Sequence, residues 1–140
     1  MVNNYPTIKL SDEQIKKFKE QEAMANNFIL CRKLAVDLIE AGDKEWAYHL
    51  FNKAEKFAKN FSNYCTLGRY VGDDKYLGEK EWARKLFKES ENHAKNSRNF
   101  IRLAESVMND KYLGDKEWAS KLAKITIKLA RKEIEMCKNG

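Results

Sequence analysis

A six-residue phrase recurs three times at one spacing. Gly42-Asp43-Lys44-Glu45-Trp46-Ala47 returns as Gly78-Glu79-Lys80-Glu81-Trp82-Ala83 and as Gly114-Asp115-Lys116-Glu117-Trp118-Ala119, each 36 residues after the last. All three tryptophans of the chain occupy this one position. Carried outward, the offset aligns Leu50, Leu86 and Leu122, then Ala58, Ala94 and Ala130; upstream it aligns Phe28, Tyr64 and Phe100, each preceded by asparagine. A fixed period of this length marks a tandem array, in which a unit shelters its apolar face only by leaning on its neighbours.

Each unit reads as two helices. The second opens at the Gly-Asp/Glu turn, where Asp43 or Asp115 caps exposed backbone N–H groups and the following glutamate suits the positive end of the helix dipole. Glu79 is the poorer cap. From Trp46 the apolar positions 46, 47, 50, 51, 54, 57 and 58 follow helical spacing in a stripe wide enough to be covered on two sides. Trp46, Trp82 and Trp118 share the register of Leu50, Leu86 and Leu122, so all six are expected in the repeat core rather than as platforms for bases. The first helix reads Phe28, Cys31, Leu34, Ala35, Leu38 in the opening unit and Phe100, Leu103, Ala104, Val107 in the third, with Ser97 as its expected cap. In the middle unit Gly68 and Gly72 each cost about 1 kcal/mol of helix propensity. In units two and three this helix ends before a turn holding Tyr76-Leu77 or Tyr112-Leu113.

Ahead of the repeats, Ser11-Asp12-Glu13-Gln14 forms a capping box and starts a helix with Ile15 and Phe18 inward. The organisation expected is an N-terminal extension over 1–10, a capping helix over 11–25 and a single helical-repeat domain over 26–140. The repeats fall at about 26–61, 62–97 and 98–133, followed by an extension of the last helix. That last helix, from Asp115 to about Lys138, is expected to turn a polar face outward and close the stack.

The units resemble the tetratricopeptide superfamily. Tyr64-x₂-Leu67-Gly68-x₂-Val71 and Phe100-x₂-Leu103-Ala104-x₂-Val107 match the first helix of that repeat. Ala47-x₃-Phe51-x₂-Ala54 matches the second, with Ala83-x₃-Phe87 following it. The 36-residue period and the longer turn are nearer to the Sel-like form, and the likeness covers about residues 26–133. Two features depart from the pattern: the proline that usually closes a unit is missing, and tryptophan stands at the front of the second helix. The resemblance implies an all-α, right-handed α-solenoid of three αα-hairpins with an N-terminal capping helix, about seven helices in all. It also implies protein–protein recognition in a groove lined by the first helices. The inward polar positions would then be Lys33, Arg69 and Glu105, with Asn26, Asp37, Asp73, Arg98 and Asn109 nearby. Cations beside carboxylates there suit an acidic side chain or C-terminal carboxylate of a partner.

Composition narrows the class. Of 140 residues 43% are apolar and 11% aromatic, too many for a disordered chain, and six glycines with one proline supply too few turns for a β-sandwich or barrel. No apolar run is long enough for a membrane span, Met1–Leu10 does not read as a signal peptide, and no membrane partner is expected. Three cysteines, Cys31, Cys65 and Cys137, without a C-x-x-C pair, point to thiols in a reducing compartment and a cytoplasmic protein.

The net charge of +6 grows along the chain: residues 1–41 sum to zero, 42–77 to +1, 78–113 to +2 and 114–140 to +3. In the last helix Lys121, Lys124, Lys128, Arg131 and Lys132 trace one basic stripe. Such a stripe either solvates a terminal helix or neutralises phosphates. A nucleic-acid-associated repeat is therefore the alternative function.

Chemistry-bearing patterns are sparse. His93 aligns with Phe57 and Leu129 and is expected to pack as a core imidazole, whereas His49 aligns with Lys85 and is expected at the surface. No His/Asp/Glu set has metal-ligand spacing, and no nucleophile elbow, phosphate loop or dinucleotide fingerprint occurs. Cys65 lies near Arg69 in sequence, which would lower its pKa if the side chains met. The expectation is a non-enzymatic interaction module without metal or cofactor. It would be an adaptor or an inhibitor, such as an immunity-type protein or one that blocks a host complex.

Overall fold

Polar caps decide where each helix begins. In the computed structural model, which describes residues 10–139, Ser11 Oγ accepts the Gln14 N–H at 3.1 Å while Gln14 Oε1 accepts the Ser11 N–H at 2.9 Å, opening α1 (Asp12–Met24). Asn27 caps α2 (Phe28–Glu40) through the Leu30 N–H at 2.8 Å, and Asp43 caps α3 (Lys44–Phe57) through the Trp46 N–H at 3.0 Å. Asn60 opens α4 (Phe61–Gly72) and Asn96 opens α6 (Ser97–Met108). Asp115 accepts the Trp118 N–H at 2.9 Å at the start of α7 (Lys116–Asn139). Glu79, before α5 (Lys80–Asn92), makes no side-chain cap, as its longer arm predicts. The described residues are all-α, with seven helices and no strand, and α2–α3, α4–α5 and α6–α7 pack as neighbouring pairs. The extension expected over 1–10 lies outside the described residues, apart from Leu10.

Packing divides the chain into two compact units, Met1–Ala58 and Lys59–Gly140, and the single domain expected over 26–140 spans both. In the first, α2 and α3 bury Phe28, Cys31, Leu34, Leu38, Leu50 and Phe51. Helix α1 has no fully buried residue and is held by its edge. The Trp46 indole N–H donates to Glu22 Oε2 at 2.9 Å, Phe18 meets Trp46 edge-on at 5.9 Å, and Lys53 Nζ donates to the Glu22 carbonyl at 3.2 Å.

The second unit stacks two hairpins on a shared core of Phe61, Cys65, Ala83, Phe87, Leu103, Val107, Ala119 and Leu122. Its two long turns are alike. The Glu79 and Asp115 N–H groups reach back to Val71 and Val107 carbonyls at 2.8 and 2.7 Å. Gly78 and Gly114 take positive φ of 64° and 72°, where a Cβ would also press on the Asp74 or Asp110 carboxylate. The first repeat omits this turn: α2 runs to Glu40, four residues past the position aligned with Gly72.

Gly68 and Gly72, costly for a helix, are required by packing. A Cβ at Gly68 would stand 2.7 Å from the Phe87 ring, and one at Gly72 would stand 2.5 Å from the Tyr112 carbonyl oxygen.

Several expectations are corrected. Asn96, not Ser97, caps α6; Ser97 is already helical, and its N–H and hydroxyl both donate to the Glu133 carboxylate, at 2.9 and 2.6 Å. The tryptophans are half-buried, with Trp118 packed against the core of the second unit, and their indole N–H groups need a polar partner. Trp118 donates to Glu91 at 2.9 Å as Trp46 does to Glu22, whereas Leu50, Leu86 and Leu122 are core. His93 ends α5 half-buried, with Nδ1 3.0 Å from the Glu89 carbonyl and its ring 5.1 Å from Tyr64; His49 is exposed as expected. The outward face of α7 beside α6 is apolar, not the polar cap expected, for Ala123 and Ile127 stand exposed there.

Candidate functional site

The groove residues expected from the sequence fall in different places. Lys33 and Asp37 belong to the first unit, where they rim a cavity of about 330 Å³ with Met24 and Leu30. Arg69 and Asp73 enter a polar pocket of about 320 Å³ in the second unit. Glu105 faces another groove, beside Met108 and Ile127. Arg98 is exposed at the start of α6, and Asn109 ends that helix by accepting the Lys111 N–H at 3.0 Å.

The polar pocket is built by α4, α6 and the turns that follow them. Arg69 points across to α6, where its Nε–H donates to Ser106 Oγ at 2.8 Å. Ser106 is fully buried; its hydroxyl donates to the Arg102 carbonyl at 2.9 Å and lies 3.5 Å from Cys65 Sγ. Arg69 is thus held at its root by a satisfied buried hydroxyl, and its two terminal nitrogens bond to none of the described residues. A guanidinium fixed in this way has lost little more freedom to give up on meeting a ligand.

Around it stand Arg102, Lys111 and three tyrosines. The Arg69 guanidinium and Lys111 Nζ each lie 5.9 Å from the Tyr112 ring centre, and Tyr70 meets Tyr76 edge-on at 5.0 Å. One carboxylate answers the three cations. Asp73 is 5% exposed, accepts the Lys75 N–H at 3.0 Å, and pairs with Lys111 Nζ at 3.5 Å. The pocket keeps excess positive charge on an aromatic frame, and Arg69 with Arg102 suits a planar carboxylate or a phosphate.

Sequence reasoning found Arg69 and Asp73 but missed Arg102, Lys111, Tyr70, Tyr76 and Tyr112. The repeated Asp-Lys-Tyr-Leu-Gly at 74–78 and 110–114 was the available signal, since one turn brings its lysine and tyrosine to this pocket.

Outside the pocket lie the thiols and the basic stripe. Cys31 and Cys65 are buried, and Cys137 is exposed. Burial raises the Cys31 pKa, with Lys53 acting the other way, so that thiol is a poor nucleophile. Lys121, Lys124, Lys128, Arg131 and Lys132 are all exposed on α7 within an arc of about 100°. Among the described residues no group of three His, Cys, Asp or Glu side chains is placed to hold a metal ion. None of their helices is long and apolar enough to cross a membrane. No protein-family model, curated protein or solved structure matches the chain.

Proposed function

We propose that this protein is a non-enzymatic protein–protein interaction module, an adaptor or inhibitor acting in the cytoplasm, that grips an acidic group of its partner in the α4–α6 pocket. The observation that carries the reading is Arg69: its Nε is tied to Ser106 at 2.8 Å, and its remaining donors stand beside Arg102 and Lys111. A carboxylate entering there meets a preorganised fork. A hydrogen bond to a charged group of this kind contributes about 1.5–3 kcal/mol, a tenfold effect or more on affinity. The 36-residue register and the paired helices support membership of the tetratricopeptide superfamily in its Sel-like form as part of the same reading.

The test is fluorescence anisotropy with a labelled peptide ending in two glutamates and a free carboxylate. Arg69→Glu should weaken binding at least tenfold, with an unaltered circular dichroism spectrum. Equal affinity of the folded variant and the parent would remove the pocket from the proposal.

A second reading has its own observation. The five basic side chains of α7 share one exposed arc, so the chain would associate with nucleic acid through phosphates, with affinity falling steeply as salt rises. Titration with a single-stranded oligonucleotide separates the readings, and absence of association at low ionic strength ends this one.

A further inference from the structure

The second unit presents the same repeat face twice, once covered and once open. In the hairpin α4–α5 that face includes Cys65, Gly72, Ala83 and Phe87, all buried where α6 and α7 pack on it. Thirty-six residues on, the corresponding positions in α6–α7 are Ile101, Met108, Ala119 and Ala123. Ala119 stays buried in its own hairpin, but nothing among the described residues covers Ile101, Met108 or Ala123. Ile101 and Met108 are 45% and 50% exposed, Ile127 is 54% exposed, and between them runs a groove of about 440 Å³ floored by Ala104, Ala119 and Ala123.

The open face is not a blank copy of the covered one. On the covered face Arg84 pairs with Asp115 at 2.7 Å, and Glu91 accepts the Trp118 indole N–H at 2.9 Å. The equivalents of Arg84 and Glu91 are Ser120 and Ile127, so both polar hooks for a further repeat of this kind are gone. Phe87 has become Ala123, which hollows the floor, and Gly72 has become Met108, which raises a rim. The face has exchanged residues that seat its own repeat for residues that seat something else.

The α7 side of the groove adds charge. On a helical projection Lys124 and Arg131 lie about 60° and 40° from Ile127, and Lys128 follows at about 100°. The apolar seam Ala123, Ile127, Ala130, Ile134 thus runs directly beside the basic stripe.

We infer that this groove is a docking site for an amphipathic helix of another protein, with an apolar stripe that fills the Ala123 hollow and acidic residues on the flank facing Lys124 and Arg131. The established α6 contact one repeat earlier shows that this face takes a helix, and the basic border states the partner's charge. A second copy of the chain fits less well. Two α7 helices paired face to face would oppose their own lysines and arginines, and the exposed face of α1, with Lys16, Lys19 and Glu20, offers no apolar stripe.

The test uses the full chain and two labelled synthetic helical peptides sharing one leucine stripe, with glutamates on the flank of one and lysines on the flank of the other. The acidic peptide should bind, and the basic peptide should bind at least tenfold more weakly. Ile127→Glu should weaken the acidic peptide tenfold or more. Lys124→Glu combined with Arg131→Glu should reverse the preference. Equal binding of the two peptides, or indifference to Ile127→Glu in a variant with an unaltered melting curve, would overturn the site. So would a concentration-dependent dimer in sedimentation that Ile127→Glu abolishes, since that assigns the groove to a second copy.

Discussion

The covered face of α4–α5 and the open face of α6–α7 are built on the same register, and they differ in what each position is asked to do. Where the turn after α6 crosses α4, the Tyr112 backbone comes so close that Gly72 has no space for a Cβ, and Phe87 fills the volume against Gly68. At the open end Met108 and Ala123 take those positions: a bulky side chain where the backbone no longer meets a neighbour, and a small one where no ring is required. The difference shows that a repeat position carries two separate demands, one from its own helix pair and one from whatever lies outside it. Ala83 and Ala119, alike and buried in both hairpins, answer only the first.

Exchanging residues between the two faces breaks the comparison open, and the largest effect should come from the core ring. Phe87→Ala is expected to cost about 3–5 kcal/mol in chemical denaturation, because the cavity beside Gly68 cannot close by small shifts. Gly72→Met, which puts the open-face residue on the covered face, should cost about 3 kcal/mol, since the Tyr112 carbonyl stands where the side chain must begin.

A smaller effect is expected at the hook between hairpins. Arg84→Met should cost about 0.5–1 kcal/mol at neutral pH, the pair being partly exposed. Hydrogen bonds from Arg84 and from the Trp118 N–H, together with the Arg84 charge, hold the Asp115 pKa below its ordinary 3.8. A depressed folded-state pKa stabilises above the unfolded value and loses that contribution as pH falls through the folded one. The gap between parent and Arg84→Met should therefore shrink below about pH 4 in acid unfolding. Smallest of all, Ala123→Phe, the reverse swap on the open face, should change stability by no more than about 0.5 kcal/mol. It should also fill the groove and block the acidic helical peptide. A large loss of stability would mean that the open face is already spoken for.

Much of this fold is readable from residue order. The period places the hairpins, Asp43 and Asp115 announce their caps, and Ser11 with Gln14 announces the first helix. Asn96 and Ser97 show where such reading stops. Both are good caps, and only the backbone conformation at Asn96, φ −147° and ψ 172°, selects it. The pocket was half legible. Arg69 lies at a helical position that spacing can find, whereas Arg102 and Lys111 reach it from another helix and a turn, and no local pattern encodes that meeting. The apolar groove had a signal that the period itself supplied. Aligning Phe87 with Ala123 and Glu91 with Ile127 shows the last repeat abandoning the polar hook and the core ring.

Residue order by itself determined the all-helical class, the register of the three hairpins and the leucine core, because caps, turn glycines and apolar spacing act over a few neighbouring residues. Tertiary structure alone decided which tryptophan partner, which arginine and which face of the last helix became available. Those outcomes depend on approach distances between residues far apart in the chain, Arg69 and Ser106 across 37 residues and Trp118 and Glu91 across 27. Hydrogen bonds and steric contacts act over only a few ångströms, so it is the packed backbone that brings such groups into reach.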